Sequence, residues 1–394
     1  IKLLIKIFSK ILLLTKHLFD MKQEYSYLDK RDDNGLLLRY SAETYSESTA
    51  ESYYQELQKY TVFNIIHSLL PKPYVELYFL KKIRESIRID CHKATIKSWD
   101  INKKHLSSVN ENRLMGNGKH YERLLQQSIV EYIKLIIKSL FHKANNLFSS
   151  TSVEFNVESR YEEKINIAVS LQEGLDLRKR SDLFWLAGSK IEPIKIILYH
   201  NNQNNLVDLA KKDEKLKHIK YIDLQEWQAQ IRHKTLDEIK KKIKFKALNK
   251  IVEYWLIIES LILLHRVQYW YSFFKNNNIY LHLCPTEHGV ETICKQIALS
   301  LNKGVSIGKT RSYILGHFAH CYYPNDIFFT WGKDSAQILL KTKNPIDNIL
   351  ISGMPYKIHN FNIGNKENNN FSVLLLDNVF SGNEGLTQVL HISY

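Results

Sequence analysis

IYLHLCPTEHGVETICKQIALSLNKGVSIGKTRSYILGHFAHCYYPNDIFFTWGKDSAQILLKTKNPIDNILISGMP, residues Ile279 to Pro355, decides the fold. Four β-rich runs stand in it: Ile279–Cys284, Val305–Gly308, Asp326–Trp331 and Asn348–Ser352. Two helix-length segments, Val290–Asn302 and Lys333–Lys343, lie between them. Short strands alternating with helices are the sequence form of βαβ units and a parallel sheet. In the first helix Val290, Ile293, Ile297, Ala298 and Leu301 fall on one face, at the spacing of a buried stripe.

In an open parallel sheet, ligands bind beyond the carboxyl ends of the strands, where loops and helix N-termini converge. That rule marks four loops: Pro285–Gly289, Lys309–Tyr313, Trp331–Asp334 and Gly353–Tyr356. Each follows an apolar run and carries ionisable, hydroxyl or glycine residues. They are either the rim of a functional cleft or the ordinary polar loops of an α/β domain.

Upstream, Ile165–Leu171, Ile194–Tyr199 and His218–Leu224 read as further buried strands, with a helix starting after Asn204. The sheet therefore draws strands from 165–224 and 279–352. The loop Glu173–Asp176 sits at a strand's carboxyl end and adds Glu173 to the candidates. Between the two sets lies a helical insertion, 235–275, with Thr235 and Glu238 spaced as a capping box. Its run Ile251–Phe274 is apolar nearly all round. Glu253, Glu259, His265 and Arg266 interrupt it, which favours a buried helix over a membrane span.

Residues 1–150 form a mostly helical N-terminal region. Residues 1–20, IKLLIKIFSKILLLTKHLFD, make a basic amphipathic helix, either lying on an anionic membrane face or packing on the protein surface. Their apolar runs fall short of a bilayer span, and they carry no small-residue cleavage site. A polar stretch follows, read as a loop up to Thr49. A helix then runs from Thr49 towards Leu70, where Pro71 and Pro73 break it. Residues 74–95 and 119–145 read as helices. The α/β domain occupies 151–356, an Asn-rich linker 357–370, and the start of a second α/β domain 371–394. Both chain ends look cut, as in a fragment of a longer protein.

At 394 residues, 44% of them hydrophobic, the chain has material for more than one packed core. The formal charge of +14 favours acidic partners, although the basic residues are scattered. Four cysteines, Cys91, Cys284, Cys294 and Cys321, show neither disulfide-framework nor zinc spacing and fit a reducing compartment. Gly116–Lys119 and Gly304–Thr310 resemble phosphate loops but lack the required spacing and preceding strand.

The order GVSIGKTRSY (304–313), DIFFTWG (326–332), ILISGMP (349–355), linker, VLLLDN (373–378) resembles the GT-B glycosyltransferases that build bacterial surface polysaccharide. It is similar in particular to the CDP-glycerol glycerophosphotransferase group; SDLFWLAGSKIEPIKIILY (181–199) looks like the matching N-domain portion. The resemblance spans roughly 165–378. Many relatives carry His-Gly where this chain has Arg311-Ser312; here His288-Gly289 sits one unit earlier.

That resemblance implies transfer of a sugar or polyol phosphate from a nucleotide-activated donor to a glycan or lipid-linked acceptor. It implies no cofactor and no metal; with the cysteine usage and the basic helix at residues 1–20 it fits a cytoplasmic protein, either free or peripheral on the membrane face. Glu287 and His288 would supply the base for the acceptor hydroxyl. They equally suit a helix N-terminus and the surface. Lys309, Arg311 and Ser312 would hold a phosphate or sugar carboxylate, with Glu173, Trp331 and Gly332 lining the cleft. Gly353 and Pro355 would shape the crossing to the second domain. The basic charge leaves two other classes open: a nucleic-acid-binding protein, or a non-catalytic α/β scaffold at the membrane.

Overall fold

A computed structural model describes residues 38–97, 99–100, 105–106, 119–148, 166–171, 190–214, 216–225, 227, 231–243, 250–284, 289–310, 323–341 and 344–353. All lie in the first of two compact units, Ile1–Pro355. The basic segment 1–20, the linker 357–370 and the start of a second domain at 371–394 fall outside the described residues.

The helical part is built from α1 (Leu38–Leu57), α2 (Thr61–Leu69), α3 (Lys72–Lys97) and α4 (Lys119–Phe148). A two-residue antiparallel pair, β1 (Trp99–Asp100) with β2 (His105–Leu106), stands between α3 and α4. Then come β3 (Asn166–Ser170), β4 (Ile196–His200), α5 (Asn204–Lys211), β5 (Lys220–Asp223), α6 (Lys234–Lys242) and α7 (Ile251–Asn276). The decisive stretch follows as β6 (Ile279–Cys284), α8 (Val290–Leu301), β7 (Val305–Lys309), β8 (Ile327–Thr330), α9 (Lys333–Lys341) and β9 (Asn348–Ile351).

Seven strands make one sheet in the order β5-β4-β3-β6-β7-β8-β9, and every pairing is parallel. Ile167, Ile197, Ile307 and Phe328 all lie in it, so both parts of the chain feed one Rossmann-like layer. Alternation along the strands sorts the two faces. Ala168, Ile197 and Tyr199 join the large core with Trp270, Phe273, Ile293 and Ile297 of α7 and α8. Ile167, Val169, Leu198 and Leu283 face the other way, onto Val207 and Ala210 of α5. The apolar run read as strand-like IYLHLC thus divides its side chains between two cores.

Three helix readings are corrected. From Leu38 on, the polar stretch before Thr49 is helix rather than loop, being part of α1. Ala42, Tyr45, Thr49, Ala50, Tyr53 and Leu57 bury its inner face, and that face carries few aliphatic side chains. The helix read from Thr49 towards Leu70 is two, α1 and α2, parted at Gln58–Tyr60; it ends before Pro71 as expected, and Pro73 lies in the first turn of α3, where its nitrogen needs no hydrogen bond. The insertion 235–275 is two helices, α6 and α7, and Thr235 lies inside α6 after its N-cap, His233. Glu253 receives the Lys250 N–H at 3.3 Å, so the carboxylate that caps belongs to α7. The apolar run itself is buried as expected: Trp255, Leu256, Ile257, Leu263 and Leu264 of α7 are sealed in the core.

The glycines of GVSIGKT serve packing. A Cβ on Gly304 would come within 2.8 Å of the Tyr280 carbonyl, and one on Gly308 within 2.4 Å of Asn325 Oδ1. Lys309 is the last residue of a strand, so no phosphate-cradling loop exists there.

Candidate functional site

The chain runs outward from β3 through β4 to β5, then returns to lay β6 against the other side of β3. Strand order therefore reverses between β3 and β6, the place where open α/β sheets form their ligand crevice. Val169 pairs with Leu283, so Ser170 and Cys284 end neighbouring strands at the same level. Residues 172–180 and 285–288 continue from those ends. Glu173, Glu287 and His288 belong to them and lie outside the described residues, as do Arg311, Ser312 and Pro355. Gly289 closes the second loop and caps α8 with an extended backbone and no side-chain hydrogen bond.

A buried polar cluster lies under this edge. His282 Nε2 is 2.6 Å from Tyr199 Oη, and His282 Nδ1 is 3.0 Å from Cys284 Sγ. The Lys295 ammonium donates to Tyr199 Oη at 3.1 Å. It also stands 4.6 Å from the centre of the Trp270 ring and 5.0 Å from that of Tyr199. Two aromatic faces and a phenol oxygen thus hold a cation that is only 5% exposed. The residues come from β4, β6, α7 and α8, and the reversal of strand order is what brings β4 and β6 to either side of β3.

This cluster continues into the helical region through charged groups. The Trp270 indole N–H donates to Glu291 Oε1. Glu291 pairs with Arg266 at 3.0 Å, and Arg266 with Glu131 of α4 at 2.6 Å. Lys82 of α3 joins Glu131 at 2.9 Å and the fully buried Glu259 at 3.0 Å. Tyr78 Oη donates to Glu259 at 2.6 Å, and Ser128 Oγ donates to its other oxygen. Burial opposes the charge on Arg266, yet Glu291 and Glu131 hold its pKa above the usual arginine value. Burial and the Glu259 charge push the Tyr78 phenol well up, so it donates as a neutral hydroxyl. Burial pushes up the Cys294 thiol on α8 as well, which keeps it an inert core group.

The remaining described candidates are spread along the sheet. Lys309 is 4% exposed and shares the sheet face of Ile307, opposite His282 and Tyr199. It is therefore not part of their cluster. Trp331 and Gly332 follow β8, two strands from β6, or about 10 Å along the sheet. Gly332 accepts the Ala336 N–H at 3.1 Å and so starts α9; the space where a side chain would stand is open. Gly353 follows the edge strand β9 with φ +73°, a conformation that favours glycine. Its place is explained by backbone shape, about 14 Å from β6 along the sheet.

Tyr199, His282 and Lys295 are absent from the candidates read in the sequence. One signal for them exists: His282 and Cys284 are two apart in a strand and so share a face. Lys295 gives none, because α8 is buried all round from Thr292 to Leu299 rather than along one stripe. Among the described residues no group of three or more His, Cys, Asp or Glu stands ready to hold a metal ion. Compared with known proteins, the chain matches no family model, no curated protein and no solved structure.

Proposed function

We propose that this chain is a GT-B-type transferase of surface polysaccharide synthesis. In this reading it moves a sugar or polyol phosphate from a nucleotide-activated donor to a glycan or lipid-linked acceptor. The observation that supports it is the reversal of strand order between β3 and β6, which sets the Glu173 and Glu287–His288 loops on adjoining strand ends. For sugar transfer the acceptor hydroxyl gives its proton to Glu287 or His288. Its oxygen bonds the anomeric carbon, and the bond from that carbon to the phosphate oxygen breaks. The nucleotide leaves with the electron pair, and cationic groups stabilise its charge. Lys295, held against Tyr199 and Trp270, contributes positive potential, and the Arg311 side chain would add to it.

The test is titration of the full chain with UDP, CDP, GDP and CMP, followed by assay of the corresponding nucleotide-sugars and CDP-glycerol for turnover. Saturable binding of one nucleotide, weakened about tenfold by Lys295→Met, supports the reading. No nucleotide binding by folded protein overturns it. So does tight, salt-sensitive binding of DNA or RNA in its place.

A further inference from the structure

Helix α4 is built inside out over three of its turns. Its inner side carries Ser128 and Glu131, which serve Glu259, Lys82 and Arg266. Its outer side carries Ile129, Val130, Ile133, Ile136 and Ile137, each 37 to 46% exposed. The outer side is polar one turn earlier, at Glu122, Arg123, Gln126 and Gln127, so the change is abrupt. Five β-branched side chains in one stripe are more than the scattered exposure of an ordinary surface.

The charge beside the stripe tells what covers it. Lys134 is exposed among the isoleucines. From Tyr132 to Phe148 the sequence holds Lys134, Lys138 and Lys143 and no aspartate or glutamate. A second copy of α4 would bring like charges together, and the basic segment 1–20 would do the same. An anionic surface with an apolar interior satisfies both the lysines and the isoleucines. No helix among the described residues is long and apolar enough to cross a membrane, which leaves lying in the interface. We infer that the outer face of α4 between Ile129 and Ile137 docks the protein on an anionic lipid bilayer. Its isoleucines enter the headgroup boundary and Lys134 meets the lipid phosphates. This does not depend on the transferase reading.

The experiment is sedimentation of the full chain with vesicles of phosphatidylcholine alone, or with a third phosphatidylglycerol. Wild type partitions onto the anionic vesicles and is released by high salt. Ile133→Glu/Ile137→Glu lowers the partition coefficient about tenfold or more with an unchanged circular dichroism spectrum. Lys134→Glu, which keeps the apolar stripe, lowers it a few-fold on anionic vesicles only. Three results overturn the inference: no vesicle binding by wild type, unchanged binding by the folded double variant, or a wild-type dimer that the double variant converts to monomer.

Discussion

Tyr74 and Asp326 are 252 residues apart in the chain, and the Tyr74 hydroxyl donates to Asp326 Oδ1 at 2.9 Å. Gln296 Nε2 donates to the same oxygen at 2.9 Å, and the Ser306 backbone N–H to the other at 2.7 Å. One carboxylate thus joins α3, α8 and β7. It fastens the helical region to the amino end of the sheet, opposite the strand ends that carry the candidate site.

Replacing that carboxylate removes four acceptor contacts at once, since the Ser306 hydroxyl also donates to it at 3.2 Å. Asp326→Ala is expected to lower the free energy of unfolding by about 2–4 kcal/mol, and Tyr74→Phe by about 1 kcal/mol. Urea denaturation followed by tryptophan fluorescence reads both. Equal losses from the two variants would show that Tyr74 is the only partner that counts.

Glu259 is fully buried on α7 and receives Lys82, Tyr78 and Ser128. Glu259→Leu leaves an ammonium and two hydroxyls facing an apolar side chain. The expected loss is about 3–5 kcal/mol, the range for breaking one side of a buried ion pair. Urea denaturation reads the loss; a change below about 1 kcal/mol would show that Glu131 alone satisfies Lys82.

Acid should weaken the α1–α3 contact. Glu43, 1% exposed, meets Arg84 at 3.2 Å, Arg88 at 2.6 Å and His92 at 3.2 Å. Burial raises its pKa, but the His92 hydrogen bond and the Arg88 charge outweigh that and bring it from 4.5 to about 2. A depressed carboxylate contributes stability in full above the unfolded value. That contribution fades as pH falls from 4.5 towards 2, and its depth is about 3 kcal/mol. Denaturant midpoints of wild type and Glu43→Gln should therefore converge across this window.

His120 works in a higher window. It is 7% exposed and 4.6 Å from the Tyr53 ring, and among the described residues neither ring nitrogen has a hydrogen-bond partner. Burial, helped by the Arg123 charge, lowers its pKa from 6.5 to about 4. The unfolded chain takes up a proton that the folded one refuses, so stability is full above 6.5 and falls as pH drops towards 4. His120→Phe should abolish this loss and be relatively more stable than wild type by about 2 kcal/mol near pH 5. A constant difference from neutral pH down to pH 5 would show that the imidazole does not titrate there.

Which elements were legible follows from what buries them. Strands such as Ile279–Cys284 and Ile196–His200 lie inside a parallel sheet, so their runs are apolar and bounded by turn residues. Helix α1 escaped because its inner stripe is Ala, Tyr, Ser and Thr, with Glu43 matched by cations from α3. Hydrophobic periodicity does not register a face held by phenols and an ion cluster. At the candidate site the strand-end rule marked the loops that continue from β3 and β6. It could not find Lys295, whose partners Tyr199 and Trp270 lie 96 and 25 positions upstream and meet it only in the folded sheet.

The return of β6 to the flank of β3 has a cost during synthesis. Asn166 Nδ2 bonds the carbonyl of Asn277, 111 residues downstream, at the point where the two strands begin to run together. A ribosome adding about 5–20 residues per second leaves that flank of β3 bare for roughly 5 to 20 seconds after it emerges. A strand that will lie inside the layer is meanwhile an open, apolar edge in a crowded cell. Translation speed across 171–278, and whatever chaperone shields the nascent sheet, thus bear directly on how much of this protein is made well.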